Sequence, residues 1–422
     1  MHPATIAGCG FRRWVRHWCW SERGTVMSSS CADAELGRRI LETATELAFP
    51  RYPGTAGDAR VTAILEHRLR ELGLETEVEP FSYDIRPALW ALRATLAAGA
   101  LLVAAAGWLM ARSALAGLLL LGLALLPGLM FLAWAPWLER LYRRPGPTAT
   151  ANVTARRRAT AARVTLILMA HHDSKSQTLT LPLRAGFTLT AMLSTLGLAM
   201  QGVVGVLSNR LPGPDWLAPA CGGAAAVAAL ALSTMRSDNR SPGGVDNAGS
   251  LGILLELART LPDQLPDNIE LVFLSTGAEE DHMVGAMRWL DQHAGDLSGR
   301  PVHCLNFDGA GAPGRLVLLE RYGVGRLFSA TMSAAARRAA ARLGVRVLGV
   351  LQPPGLGIDA IPFAHRGIPC LTLASGSLGR ATMSVHSAAD AAANLDPTAL
   401  AKVFQLATLT VDELIELSRN PG

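Results

Sequence analysis

Two hydrophobic periods run along the chain, and four longer apolar stretches follow neither. Asp33 to Leu47 sets apolar side chains at helical spacing, and Asp58 to Leu72 does the same before Gly73 closes it. The turn-like RYPGTAG (51–57) separates them, and LETEVEPFSY (74–83) alternates apolar and polar residues as a half-buried strand does. NVTARRR (152–158) and RVTLILMA (163–170) also predict strands; the second is apolar almost throughout, as expected of a strand covered on both faces. From Arg240 the two periods take turns. Helices are predicted over Asp246–Thr260, Asp281–His293, Leu327–Leu343 and Pro397–Leu417, and strands over IELVFLST (269–276), VHCLNF (302–307), RLVLLE (315–320) and PCLTLA (369–374). Strands alternating with helices predict an α/β fold, a mostly parallel mixed sheet flanked by helices.

The four apolar stretches interrupt this pattern in pairs. Leu89 to Met110 carries one charge, Arg93, and Ala114 to Trp137 carries none. Ala185 to Leu207 and Trp216 to Met235 form the second pair, richer in Gly, Ala, Ser and Thr, as suits close helix packing in lipid. Each has roughly the 20 residues that a hydrocarbon core of about 30 Å requires. They predict two transmembrane helical hairpins rather than buried helices of a soluble protein. Trp134 and Trp137, followed by ERLYRR, read as an interfacial anchor. The chain then divides into an N-terminal segment (1–32), the first part of the α/β domain (33–87), hairpin one (88–138), a continuation of the domain (139–183), hairpin two (184–236) and the main part of the domain (237–422).

Composition agrees. Half of the 422 residues are apolar but only 5% are aromatic, and the excess is Ala and Leu gathered in the four stretches. The formal charge of +5 comes from arginines beside those stretches, which argues for membrane flanking and against a nucleic-acid surface. Arg86, Arg140, Arg144, Arg184, Arg236 and Arg240 lie on the domain side of the hairpins, whereas the tips carry Arg112 and Arg210. The positive-inside rule therefore predicts a cytoplasmic domain on a multi-pass protein of the bacterial plasma membrane. The first twenty residues, MHPATIAGCGFRRWVRHWCW, lack the uninterrupted apolar core of a signal peptide. They read equally as a disordered or interfacial segment and as sequence upstream of a start at Met27. The six cysteines, Cys9, Cys19, Cys31, Cys221, Cys304 and Cys370, form no CxxC pair and are expected to be small buried hydrophobes.

Five short segments carry metal-compatible side chains at strand ends or helix starts: AHHDS (170–174), GGVDN (243–247), AEE (278–280), NFDGAG (306–311) and VHS (385–387). Loops at the carboxyl ends of strands in an α/β sheet converge on one crevice. Two histidines and several carboxylates meeting there make a mixed nitrogen–oxygen site suited to zinc. His172 would face away from His171 in an extended segment and is expected not to ligate.

In this order, and with RYPGTAG, GIDAIPF (357–363) and GIP (367–369), the segments resemble the M28 family of co-catalytic zinc aminopeptidases from about Asp33 onward. The resemblance implies two Zn2+ ions per chain. His171, Asp246, Glu280, Asp308 and His386 would be ligands, with Asp246 bridging. Glu279 would be the general base, and Asp173 would orient His171. Such a pair of ions, about 3.5–4 Å apart, polarises a shared water. The implied activity is removal of N-terminal residues from peptide substrates by a membrane-bound metallopeptidase. Two alternatives stay open: a related zinc enzyme acting on another amide (a cyclase or deacylase), and an inactive membrane scaffold of the same fold. The sequence departs from the family pattern at His172, His282, Ala286 and Val385, none of which is a ligand position. His303, Asp281 and Asp359 are expected to be structural or to support the ligands.

Overall fold

The computed structural model describes residues 29–142, 144–352 and 356–419. The expectations for residues 1–28, with Cys9 and Cys19, fall outside them, as do the side chains of the Trp134–Arg144 anchor as far as residue 143. The chain opens with α1 (Ser29–Leu47), α2 (Ala56–Glu71) and β1 (Glu75–Tyr83), then enters the first apolar pair, α3 (Arg86–Met110) and α4 (Ala114–Tyr142). It returns through β2 (Thr148–Arg157), β3 (Val164–His171) and a two-residue β4 (Ser176–Gln177). The second pair is α5 (Leu181–Ser208) and α6 (Leu217–Ser233), closed by a two-residue β5 (Ser237–Asp238). Then come α7 (Gly249–Thr260), β6 (Ile269–Thr276), α8 (Val284–His293), β7 (Val302–Phe307), β8 (Arg315–Tyr322), β9 (Arg326–Leu327) and α9 (Ala330–Leu343). The remainder is β10 (Val347–Leu351), α10 (Ala360–His365), β11 (Cys370–Gly376), α11 (Arg380–Met383) and α12 (Pro397–Arg419).

Among the described residues the main sheet has nine strands, in the order β1-β2-β6-β3-β7-β11-β8-β10, with β9 paired to β8. Its centre, β6-β3-β7-β11, is parallel, while β1, β2 and β8 join antiparallel. The predicted mixed α/β fold is thus observed: the strands that deliver His171, Glu279, Glu280 and Asp308 are parallel, and a second parallel pair, β8 and β10, lies at the far edge. The pleat sorts side chains by face. Leu166, Leu168, Ala170, Leu271 and Phe273 point to the layer that contains α1, α2, α7, α9 and α12. Ile167, Met169, Val272 and Leu274 point to Trp289 of α8 and Phe363 of α10. Covered on both sides, β3 is buried along its whole length, which accounts for its unbroken apolar run.

The four apolar helices pack together as one bundle around Val103, Ala106, Met110, Leu121 and Leu198. Gly107 of α3 lies against Gly222 of α6, where an added Cβ would meet Ala218 O at 2.6 Å. Leucines on the outside of the bundle, such as Leu101, Leu119, Leu193 and Leu207, are exposed. The expectation of four spans is met by two helices: α3 and α5 are long and apolar enough to cross a membrane. With 17 residues α6 reaches only about 26 Å, and α4 is described with its side chains through Gly128.

Three predicted helix starts are also corrected. The helix expected from Leu327 begins at Ala330, because Leu327 pairs opposite Arg321 in the β8–β9 ribbon and the Ser329 side chain caps the helix at Met332 N. The helix expected from Asp246 begins at Gly249, because Asn247 leaves the helical path to bond its side chain to Phe307 O and Gly309 N (3.0 and 3.2 Å). The helix expected from Asp281 begins at Val284, because Ala278, His282 and Met283 take positive φ in a tight loop. Cys304 and Cys370 are buried as expected, but Cys31, at the first turn of α1, is exposed.

Candidate metal centre

Three parallel strands and two loops deliver the cluster. His171 is the last residue of β3, Asp308 follows β7, and Glu279 and Glu280 follow β6 by three and four residues. Asp246 comes from the kinked segment before α7, and His386 from the loop after α11, at φ 61°. Asp246 stands between the two histidines. Its Oδ1 is 3.1 Å from His171 Nε2 and its Oδ2 is 3.0 Å from His386 Nε2. His171 Nε2 is 3.9 Å from Asp308 Oδ1, and His386 Nε2 is 3.1 Å from Glu280 Oε2. The donors therefore fall into two groups that share one carboxylate: His171, Asp246 and Asp308, and Asp246, Glu280 and His386, each able to hold a cation. Glu279 belongs to neither, with its Oε2 4.0 Å from His171 Nε2.

The residues fit zinc on two observations. His171 Nε2 is buried and points into the cluster without an aligned hydrogen bond. Four carboxylates (Asp246, Glu279, Glu280 and Asp308) against two imidazoles also leave negative charge that a divalent cation would neutralise. Electrostatics divides the carboxylates. Burial favours the neutral form of each, but His171 and His386 override it at Asp246 and hold that carboxyl well below its usual range. At Glu280, His386 and Lys175 override burial and lower it to about 2. Burial, reinforced by the neighbouring acids Asp308 and Glu280, lifts Glu279 well above the usual range. Burial also raises Asp308, so two of the four acids are pushed toward the neutral form while Asp246 and Glu280 are held ionised.

Residues 223–411 match the model of peptidase family M28, a stretch that holds Asp246, Glu279, Glu280, Asp308 and His386. This stretch of the chain is similar to peptidase family M28. Solved structures with this fold include an aminopeptidase from Aneurinibacillus sp. strain AM-1 (14% identity, 90% of this chain and 95% of that one, TM-score 0.53). A zinc aminopeptidase from Bacillus subtilis matches with the same identity, coverage and TM-score. A glutaminyl cyclase from Fimbriiglobus ruber follows at 12% identity, 89% and 95% coverage and TM-score 0.51. At these identities the likeness is one of fold. A comparison with curated proteins gives no match.

Around the cluster, side chains that were not singled out from the sequence hold the segments that carry the candidate ligands. Arg51, of RYPGTAG, is completely buried. It donates to His172 O at 2.5 Å and Gly243 O at 3.0 Å, tying the segment that ends in His171 to the one that carries Asp246. Burial lowers its guanidinium to about 10. Asp390 accepts the N–H groups of Val245 (2.8 Å) and Asp246 (3.2 Å). Lys175, two residues past Asp173, places Nζ 3.0 Å from Glu280 Oε2, so an ammonium already stands on a predicted ligand. Lys175 lies one residue beyond the AHHDS motif, and nothing local in the sequence pointed to Glu280.

Asp173 lies 3.5 Å from His171 Nδ1 by its carboxylate and 3.1 Å by its carbonyl. A proton on Nδ1 given to that carbonyl leaves the Nε2 lone pair for the cluster. His386 Nδ1 has two neighbours, Gln177 Oε1 at 3.1 Å and Arg184 Nη2 at 2.9 Å. Arginine can only donate, so Gln177 alone can accept from an Nδ1 proton and free Nε2 for a cation. Among the other candidates, His172 bonds Ser275 Oγ at 3.0 Å and stays outside both groups. Asp281 accepts from Tyr52 and Tyr83 (2.9 and 2.6 Å), and Asp359 accepts from Thr276. His303 is partly buried, and burial lowers its ring. Burial, with Lys175 nearby, drops His282 to about 4.

Proposed function

We propose that this chain is a membrane-bound, two-zinc aminopeptidase. The observation that carries the reading is Asp246, whose two oxygens each face a histidine of a different donor group at 3.1 and 3.0 Å. In this reading His171, Asp246 and Asp308 hold one Zn2+, and Asp246, Glu280 and His386 the other. Zinc there would supply Lewis acidity to the scissile carbonyl and to the attacking water. Glu279 takes the proton of that water on its carboxylate and returns it to the leaving amine, while Asp173 keeps His171 and the Glu279–Glu280 loop in place.

The bilayer belongs to the same proposal. The chain rejoins the sheet after each apolar pair, so a crossing through α3 or α5 requires a return through α4 or α6. Both pairs then enter from the domain side, and the arginines at their bases favour a cytoplasmic domain. A C-terminal reporter active only outside the cytoplasm would reverse that orientation.

A second reading has one observation of its own. Lys175 already neutralises Glu280, so the group of Asp246, Glu280 and His386 resists a second cation, whereas the group around His171 has no such competitor among its described contacts. A single-zinc enzyme that cyclises N-terminal glutamine, with a fold like that of the cyclase above, is consistent with this. The deciding experiment measures zinc per chain, and free amino acid against ammonia released from a glutamine-led peptide. Two zincs and released amino acid support the aminopeptidase; one zinc with ammonia supports the cyclase; no turnover by zinc-loaded protein supports the scaffold. In the two-zinc reading Asp246→Ala loses both ions, since both share its carboxylate.

A further inference from the structure

Both apolar pairs spring from the rim of the metal cluster. Hairpin two begins at α5, and Arg184 in its first turn reaches His386 Nδ1 at 2.9 Å. Its base is pinned to the cluster again where Gln177 N donates to His386 O at 2.9 Å. The ribbon of β4 and β5 closes that base, with Ser176 opposite Asp238. Hairpin one begins at Arg86, three residues after Tyr83, whose hydroxyl bonds Asp281 beside Glu280. Arg93 of α3 donates to Met235 O and so joins the two bases at one level.

The distances along these helices are short. At 1.5 Å per residue, Leu189, the next large exposed apolar residue after Arg184, lies only about 8 Å further up α5. On α3, Trp90 is 68% exposed and lies about 6 Å beyond Arg86. Arg93 lies over the Trp90 ring at 5.9 Å, a tryptophan–arginine pairing suited to the interface. The headgroup layer is itself roughly 5–8 Å deep on each side of the hydrocarbon. A cluster that touches the first turn of α5 therefore stands within or against that layer.

We infer that the metal cluster works at the level of the lipid headgroups, and that its substrates are the N-termini of peptides anchored in the same bilayer. The inference rests on the membrane-bound aminopeptidase reading and adds the substrate class. A peptide held in that bilayer has its N-terminus confined to the thin layer the cluster occupies, which raises its local concentration without any new contact. A peptide in bulk water has no such advantage.

The test uses the full chain, loaded with zinc and reconstituted in phosphatidylcholine–phosphatidylglycerol vesicles. Two peptides share their first eight residues; one ends freely and the other continues into a C-terminal membrane helix. Release of the N-terminal residue is followed at equal bulk concentration. The anchored peptide in the enzyme's own vesicles should be cleaved at least about tenfold faster, and the advantage should fall as the vesicles are diluted with peptide-free lipid. Equal rates with no effect of lipid dilution overturn the inference and leave the aminopeptidase standing. No cleavage of either peptide by zinc-loaded protein removes the aminopeptidase reading and the inference with it.

Discussion

Asp173 accepts the backbone N–H of Glu280 on Oδ2 at 3.0 Å and that of its neighbour Glu279 on Oδ1 at 3.1 Å. One buried carboxylate thereby sets the register of two adjacent acids and turns their side chains toward different histidines. Glu280 faces His386 at 3.1 Å, and Glu279 approaches His171 at 4.0 Å.

That register predicts a separation of chemistry from metal binding. Glu279→Gln keeps the shape of the side chain but cannot take a proton, so zinc content should stay normal while kcat falls by about 10²–10⁴-fold. Glu280→Gln should lose zinc as well as turnover. Zinc per chain and peptide turnover, measured on the same samples, check both; a Glu279→Gln protein with full activity removes Glu279 as the base.

Lys175 stands against a cation at Glu280. Two unit charges about 4 Å apart interact by about 4 kcal/mol at an effective dielectric of 20. Replacing the ammonium, as in Lys175→Met, should tighten binding of the second zinc by about tenfold or more after screening. Chelator competition reads this directly. An unchanged affinity means that Lys175 swings away when the site fills.

Arg51 is a stability determinant in this reading. Arg51→Met strands the carbonyls of His172, Pro242 and Gly243 in the interior. The loss should reach about 3 kcal/mol or more, at about 1–3 kcal/mol for each buried carbonyl left unpaired. Thermal unfolding in detergent measures it, and Arg51→Lys should recover only part, since an ammonium lacks the guanidinium fork.

His293 gives a pH signature away from the cluster. Its burial opposes the charged form, but Glu79 at 2.9 Å and Asp296 at 3.1 Å prevail and raise its pKa. A raised folded-state pKa means the stabilisation is complete below the unfolded value of about 6.5 and fades as pH rises through the folded value. The Tm gap between the wild type and His293→Gln should therefore be widest near pH 6 and narrow by pH 9. A gap that widens with pH contradicts the assignment.

Much of this molecule is written in local pattern. The alternation of Leu166, Ile167, Leu168 and Met169 between two cores follows from the period of a strand, and the motif residues His171, Asp246, Glu280, Asp308 and His386 stand where strands and loops end. Helix starts were legible only in part. Whether Asp246 begins a helix depends on Asn247 reaching Phe307, 60 residues away in the chain. Lys175 on Glu280, Arg184 on His386 and Arg51 on Gly243 join residues 105, 202 and 192 positions apart. Periodicity reports only what neighbouring residues share, so it predicts elements and the faces they bury. Which distant side chains meet, and how close the apolar helices come to the metal cluster, is decided by the packing of those faces in three dimensions.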